Sequence, residues 1–341
     1  MTLKDLNTKE KLRKTNRTLK RQETAFGVTE AIASRDHNNL YITSSFFKDR
    51  MKYKAFCAFY ATMRIVDDRI DNLPISIKQN GESQKRELAV VNAWKQLVIL
   101  CQQGIKPTDS QLEACDFTEI EAVCESLIEA FSNFPVPIEL WTNFFEAMRS
   151  DIVAGEFDCW SDFLAYAEGA TVAPTTIYLF LIAARNNNEK NSYELPSGFD
   201  LFNCGCYLGI FAYLGHIIRD LAEDIKSTMT RLCITQEDMN IHDVNPEMLR
   251  REALKGQASL ATNSLVIDIL QRARRYLLRG RAYVAQVHDY LENDGRFILE
   301  LIISIYEQVI AKIESTGYDP MSNRHYLSKR EKASIVKSVA F

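Results

Sequence analysis

The chain has 341 residues, 46% of them hydrophobic, which is enough to bury a large core, and no shift in composition along it argues for a second domain. A formal net charge of −4 without a basic domain excludes a dedicated nucleic-acid binder. Eight cysteines with no C-x-x-C and no regular spacing read as reduced, mostly buried thiols, so neither a disulfide scaffold nor a zinc ribbon is indicated.

Residues 1–25 read as a basic N-terminal arm, because eight Lys or Arg between Met1 and Arg21 face only Asp5 and Glu10. The arm lacks the apolar stretch of a signal peptide. A solvated role is expected for it, with weak, salt-sensitive contact to an anionic membrane surface as the alternative. A helical pattern then leads into DHNNLYITSSFFKDRMKYKAF and on to Lys54–Asp71, KAFCAFYATMRIVDDRID. This apolar helix pattern ends in three carboxylates. Asp67 and Asp71 stand at i,i+4 and so share one helix face, where like charges destabilise the helix unless a cation joins them.

NLPISIKQNGES carries loop residues, after which Lys85–Gln103 and Asp116–Phe131 read as amphipathic helices separated by the turn signals of GIKPTDS. Pro135 and Pro137 open a further helix bearing Phe144, Phe145, Met148 and Asp151. Asp162 is placed to cap a helix through Tyr166, and ATVAPTTIYLFLIAA is small and apolar enough to pack tightly. NNNEKNSYELPSG reads as a surface loop.

Leu201–Ile218 is an apolar run with Gly205 and Gly209 at G-x-x-x-G spacing, which fits either a transmembrane helix or, as preferred here, the central helix of an all-α bundle. It continues into a second acidic end, LGHIIRDLAED, with Asp220 and Asp224 again at i,i+4. Lys226 and Arg231 follow as phosphate neighbours. Further helices from Pro246 include the solvated run QRARRYLLRGR and the apolar stripe ELIISIYEQVIAKI, and no apolar tail closes the sequence. No strand alternation and no Gly-rich dinucleotide fingerprint appear, so the expected architecture is a single all-α domain enclosing a substrate cavity. Phe56, Phe59, Tyr60, Phe145, Phe211 and Tyr213 are candidates for its wall or for plain core packing.

Two aspartate pairs at the ends of apolar helices suit hard divalent cations, which take oxygen ligands and are commonly shared with substrate phosphates. Mg²⁺ is the expected ion and Mn²⁺ its alternative, held by Asp67, Asp71, Asp220 and Asp224.

RIVDDRID and LGHIIRDLAED resemble the two aspartate motifs of the squalene/phytoene synthase family, enzymes that join two isoprenoid diphosphates head to head. DHNNLYITSSFFKDRMKYKAF and FEAMRSDIVAGEFDCWSDFLAYAEGATVAP are similar to other segments of that family, and the resemblance runs from about Asp36 to Lys332. It implies a class I isoprenoid-synthase-like helical bundle over residues 26–341. The implied catalytic residues are Asp67, Asp71, Asp220, Asp224 and Tyr166, and His216 joins them as a candidate because it stands at i,i+4 from Asp220 and so shares its helix face. The implied diphosphate-binding residues are Arg64, Tyr41, Arg219, Lys226 and Arg231, with Asn39 and Leu40 beside Tyr41 lining the diphosphate end.

The implied reaction is Mg²⁺-dependent condensation of two prenyl diphosphates, farnesyl first and geranylgeranyl next, through a cyclopropylcarbinyl diphosphate. NADPH enters only where the product is a reduced hydrocarbon. The reduced thiols and the lack of a clear membrane span read as a cytoplasmic protein, with peripheral membrane contact through the basic arm as the alternative. Tyr213 and His216 stand where the family usually has Gln and Asn, and Leu232, Cys233 and Ile234 only approximate its Tyr-Leu-Pro-like triplet. Two alternatives remain beside this reading. One is a class I terpene cyclase or a prenyltransferase with another acceptor, and the other is a non-catalytic partner subunit that binds prenyl diphosphates.

Overall fold

The long helices Arg50–Asp71, Leu201–Lys226 and Leu260–Val287 each begin at a side chain that satisfies a first free N–H group. In a computed structural model, which describes residues 22–35, 38–74, 76–77, 80–153, 155–187, 189, 192–227, 231–322 and 325–340, helix α1 covers residues 22–33 and α2 covers Asn39–Ser44. Asn38 caps α2, accepting from the Tyr41 N–H at 2.9 Å. Asp49 caps α3, Arg50–Asp71, through the Met51 N–H at 2.8 Å. Such caps each contribute about 1 kcal/mol. The basic arm over residues 1–21 lies outside the described residues, as does His37. Residues 22–25 already belong to α1, where Ala25 is buried.

Beyond α3 come α4 (Gly81–Gln102), α5 (Asp109–Glu113), α6 (Ile120–Asn133) and α7 (Ile138–Val153). The helix expected from Asp116 starts at Ile120 instead, because Asp116 sits at φ +50° in a turn. α8 spans Trp160–Ala167, and here Asp162 acts from inside the helix, its carboxylate accepting from the Cys159 N–H at 3.1 Å. A π turn over Glu168–Val172 joins α8 to α9, Ala173–Ala183.

The NNNEKNSYELPSG loop contains a short hairpin that sequence pattern did not indicate, β1 (Arg185–Asn187) against β2 (Ser192–Glu194). Three-residue strands are marginal alone. Tyr193 anchors this pair by stacking on Phe134 at 4.2 Å and donating to Asp49 at 2.5 Å.

The long apolar run forms α10, Leu201–Lys226, which packs most extensively on α13 (Leu260–Val287) and next on α9. α11 (Gln236–Ile241), α12 (Pro246–Lys255), α14 (Asn293–Ser315) and α15 (Lys329–Ala340) complete the chain. Among the described residues α10 alone is long and apolar enough to cross a membrane, and 61% of its apolar window is buried against other helices. The glycines explain the packing. A methyl group on Gly209 would meet Thr175 Oγ1 at 3.1 Å and Val172 Cα at 3.2 Å, and one on Gly205 would overlap Thr176. Thr171 in the π turn donates to the Gly209 carbonyl at 3.1 Å, so the G-x-x-x-G seam faces the π turn and α9.

The π turn also brings Gly169 against α7, where an added Cβ would overlap the Asn143 carbonyl and approach the Ala147 Cβ to 2.8 Å. Gly169→Ala is therefore expected to destabilise the fold by about 2 kcal/mol, as overpacking against backbone does. Chemical denaturation measures it. A loss below about 0.5 kcal/mol would show that α7 and the π turn move apart freely.

Candidate active site

α3 and α10 run their apolar lengths through the core and release their acidic ends at the mouth of one cavity of about 630 Å³. Asp67, Asp71, Asp220 and Asp224 all line it, together with Arg64, Arg219, Arg231, Tyr166 and His216. Its depth is apolar, walled by Met148, Leu179, Leu208, Phe211, Leu299 and Ile303 among others.

The carboxylates feel one another across the mouth. Burial and the charges of Asp71, Asp68 and Asp151 push the Asp67 carboxyl up to about 8, against the pull of Arg64. Burial, Asp220 and Asp71 push Asp224 up to about 7. Asp71 thus acts on both helices, which places the two motifs face to face. Asp220 behaves in the opposite way: burial pushes it up, but hydrogen bonds from Arg219 and His216 outweigh this and hold it well below the usual carboxylate range. Arg219 grips it with Nε at 2.8 Å and Nη2 at 2.6 Å, and His216 Nε2 lies 2.7 Å from Oδ2.

The remaining cations are fixed around this acidic mouth. Arg64 lies 3.1 Å from Asp68, one turn on. Arg231 donates to the Ser150 hydroxyl at 3.1 Å and carbonyl at 3.3 Å, lies 3.7 Å from Asp151, and sits over the rings of Phe157 and Tyr166 at 4.6 and 5.2 Å. Tyr166 donates to Asp151 at 2.9 Å. Tyr213 meets Cys233 Sγ at 3.4 Å and stacks on Phe163.

Two sequence candidates lie elsewhere. Tyr41 is off the cavity lining, its hydroxyl receiving a 3.3 Å hydrogen bond from Tyr53, although its neighbours Asn39 and Leu40 do line it. Lys226 lies in a smaller adjoining hollow with Arg219, Met321 and Tyr326. Of the aromatic candidates, Tyr60, Phe211 and Tyr213 reach the cavity, whereas Phe56, Phe59 and Phe145 are packed in the core behind it.

Sequence reasoning missed Asn38, Tyr306, Tyr326 and Lys332, all on the lining. Tyr326 and Lys332 arrive with the C-terminal segment. Lys312 holds that segment down by donating to the Tyr326 carbonyl at 2.8 Å and to Glu331 at 3.0 Å. Tyr326 donates to Glu223 at 3.1 Å and lies under Arg219 at 4.8 Å. Burial and the Arg219 charge push the Lys332 ammonium down. No local motif marks these residues, since a basic helix start such as SKREK reads as solvated surface.

Residues 34–331 match the family model for squalene/phytoene synthase. The chain belongs to the squalene/phytoene synthase family. Among relatives in this family, it is 20% identical to a 15-cis-phytoene synthase of Synechococcus elongatus over 277 residues, 81% of this chain and 80% of that protein. It is 23% identical to a chloroplastic phytoene synthase of Daucus carota over 209 residues, 61% of this chain and 48% of the relative. The chain thus spans about half the length of the plant relatives it matches. In fold it is similar to a dehydrosqualene synthase (TM-score 0.72, 19% identity, 95% of this chain and 98% of that one). It is also similar to the squalene synthase HpnC of Alicyclobacillus acidocaldarius (TM-score 0.66, 16% identity, 87% and 95%).

The donor set at the mouth suits a hard divalent cation: every motif ligand offers carboxylate oxygen, and the carboxylates outnumber the arginines facing them. Among the described residues no three His, Cys, Asp or Glu side chains already converge on one point. A divalent cation there would therefore take only part of its oxygen ligands from each aspartate pair.

Asp67 and Asp224 keep protons in the metal-free fold that the unfolded chain, with carboxyls near ~3.9, releases. Their contribution to stability consequently falls as pH rises from about 4 towards 8. In EDTA, Asp67→Asn is expected to melt higher than the wild type by about 2 °C or more at pH 8.5, with the difference shrinking towards pH 5. Added Mg²⁺ should stabilise the wild type more than the variant. A difference that does not change with pH would mean that Asp67 feels no crowding of charge.

Proposed function

We propose that this protein catalyses head-to-head condensation of two prenyl diphosphates, farnesyl diphosphate first among them, with release of pyrophosphate. The observation that carries this reading is the single cavity in which an acidic, arginine-flanked mouth opens directly into an apolar depth. A prenyl diphosphate has the same division between its two ends.

Asp67, Asp71, Asp220 and Asp224 would hold Mg²⁺, which when bound neutralises charge on a departing pyrophosphate. Arg64, Arg219 and Arg231 stand at the same mouth with their guanidinium groups already oriented by Asp68, Asp220 and Ser150, so they can bind a diphosphate with little further ordering. Lys332 adds an ammonium whose pKa is lowered by burial first and by the Arg219 charge second, and an incoming anion would favour its charged form.

Deeper in, Phe211, Leu299 and Ile303 exclude water from an allylic cation. Tyr60, Tyr306 and Phe144 offer ring faces, each able to stabilise such a cation by about 0.5–2 kcal/mol where the geometry is good. The second prenyl double bond attacks the cation, and loss of a proton closes the ring of a cyclopropylcarbinyl diphosphate. Its ionisation releases the second pyrophosphate, and the rearranged cation becomes the joined hydrocarbon by losing a proton or by accepting hydride from NADPH. A second reading, a class I terpene cyclase on the same site, draws support from Tyr213 and His216, which put a phenol and an imidazole on the lining where the family usually has the amides of Gln and Asn.

Incubation with radiolabelled C15 and C20 diphosphates and Mg²⁺, with and without NADPH, separates these readings by product. A C30 or C40 product that EDTA abolishes is expected; a cyclised C15 or C20 product would favour the cyclase. Asp67→Asn and Asp220→Asn should each lower pyrophosphate release by about 10²-fold or more while leaving the fold intact. Near-normal turnover in both variants would refute the four-aspartate site.

A further inference from the structure

Gly280 lies buried two turns before the C-terminus of α13, and a Cβ placed on it would stand 2.6 Å from Leu208 Cδ2 and 3.0 Å from its Cγ. Leu208 belongs to α10 and lines the cavity. Both close contacts are with the far end of a flexible side chain. The missing side chain at Gly280 is therefore the space into which Leu208 leans, away from the cavity.

We infer that Gly280 and Leu208 together form a length gauge that limits the prenyl chain this protein accepts, an inference that rests on the condensation proposed above. Leu208 precedes Asp220 by three and a third turns of one regular helix, which at 1.5 Å per residue puts it about 18 Å deeper than the first aspartate of the second motif. An extended carbon chain advances about 1.2 Å per bond, so each isoprene unit takes up about 5 Å. Three units end about 15 Å in and a fourth reaches about 20 Å. Leu208 thus stands where a farnesyl chain has just ended and a geranylgeranyl chain still has atoms to place.

The position of the Leu208 side chain decides whether those atoms fit. A methyl group at residue 280 displaces Leu208 from its recess, and since α13 closes off that direction, the side chain swings into the cavity. Removing the Leu208 side chain has the opposite effect and opens the recess to the substrate. Gly280 plays no part in the acidic mouth, so the change bears on chain length and leaves ionisation alone.

Competition between equimolar farnesyl and geranylgeranyl diphosphates, read by the mass of the hydrocarbon products, tests the pair. Gly280→Ala is expected to raise the C15 to C20 incorporation ratio about tenfold and Leu208→Ala to lower it by a similar factor, the scale on which apolar pockets discriminate small differences in size. The double variant should keep the lowered ratio of Leu208→Ala, because alanine at 208 has no Cδ atoms left for a methyl group at 280 to displace. Ratios that stay unchanged in both single variants of an active enzyme would overturn the gauge alone. So would a Gly280→Ala shift that persists undiminished in the double variant, since it would then act through the backbone. A folded wild type that consumes neither diphosphate would instead overturn the proposed condensation.

Discussion

The arrangement of this protein depends on a repulsion. α3 and α10 each bury an apolar length and end in aspartates, and the packing of the bundle sets those two ends across one opening. Asp71 raises the pKa of its helix neighbour Asp67 and also that of Asp224 on the other helix. Like charges so placed cost stability that the apolar burial of both helices must offset. A fold that carries such a cost at one point is poised for cationic ligands there, because what destabilises the empty site strengthens their binding.

The same packing builds the gradient on which the chemistry depends. Small residues bring the backbones close: Gly169 against Asn143, Gly205 and Gly209 against α9 and the π turn. Insertion of one residue into the helical register at Glu168–Val172 is common near functional sites, and here it sets Ala170, Thr171 and Thr175 on the cavity wall while Gly169 turns towards α7. Tight seams behind the wall leave the free volume in one place, between a charged mouth and an apolar depth.

The parts of this site that were legible in the sequence were local. The i,i+4 aspartates need only a regular helix to share a face, and the apolar runs preceding them already implied burial at an all-α core. Which apolar residues face the cavity and which face neighbouring helices was not legible, since helical periodicity marks burial without distinguishing a packed contact from an open one. Phe56, Phe59 and Phe145 are buried in the core, whereas Phe144, next to one of them, lines the cavity. Asn38, Tyr306, Tyr326 and Lys332 come from segments far from both motifs and meet only through the return of the chain. The hairpin at Arg185–Glu194 was hidden for a similar reason, because its stability comes from Tyr193 gripping Phe134 and Asp49.

Tyr213 and His216, the two departures from the family pattern, gain a physical context from their contacts. Both lie on the face of α10 that carries Asp220, yet each is tied to a different part of the site. His216 adds a second partner to Asp220, which Arg219 already holds. Tyr213 reaches across to Cys233, two residues beyond Arg231, so its phenol braces the segment that presents that guanidinium. An asparagine in place of His216 offers an amide rather than an imidazole to Asp220, and a glutamine in place of Tyr213 lacks the ring that stacks on Phe163. The substituted side chains therefore bear on the placement of Asp220 and of the segment that carries Arg231, as well as presenting their own surfaces in the cavity.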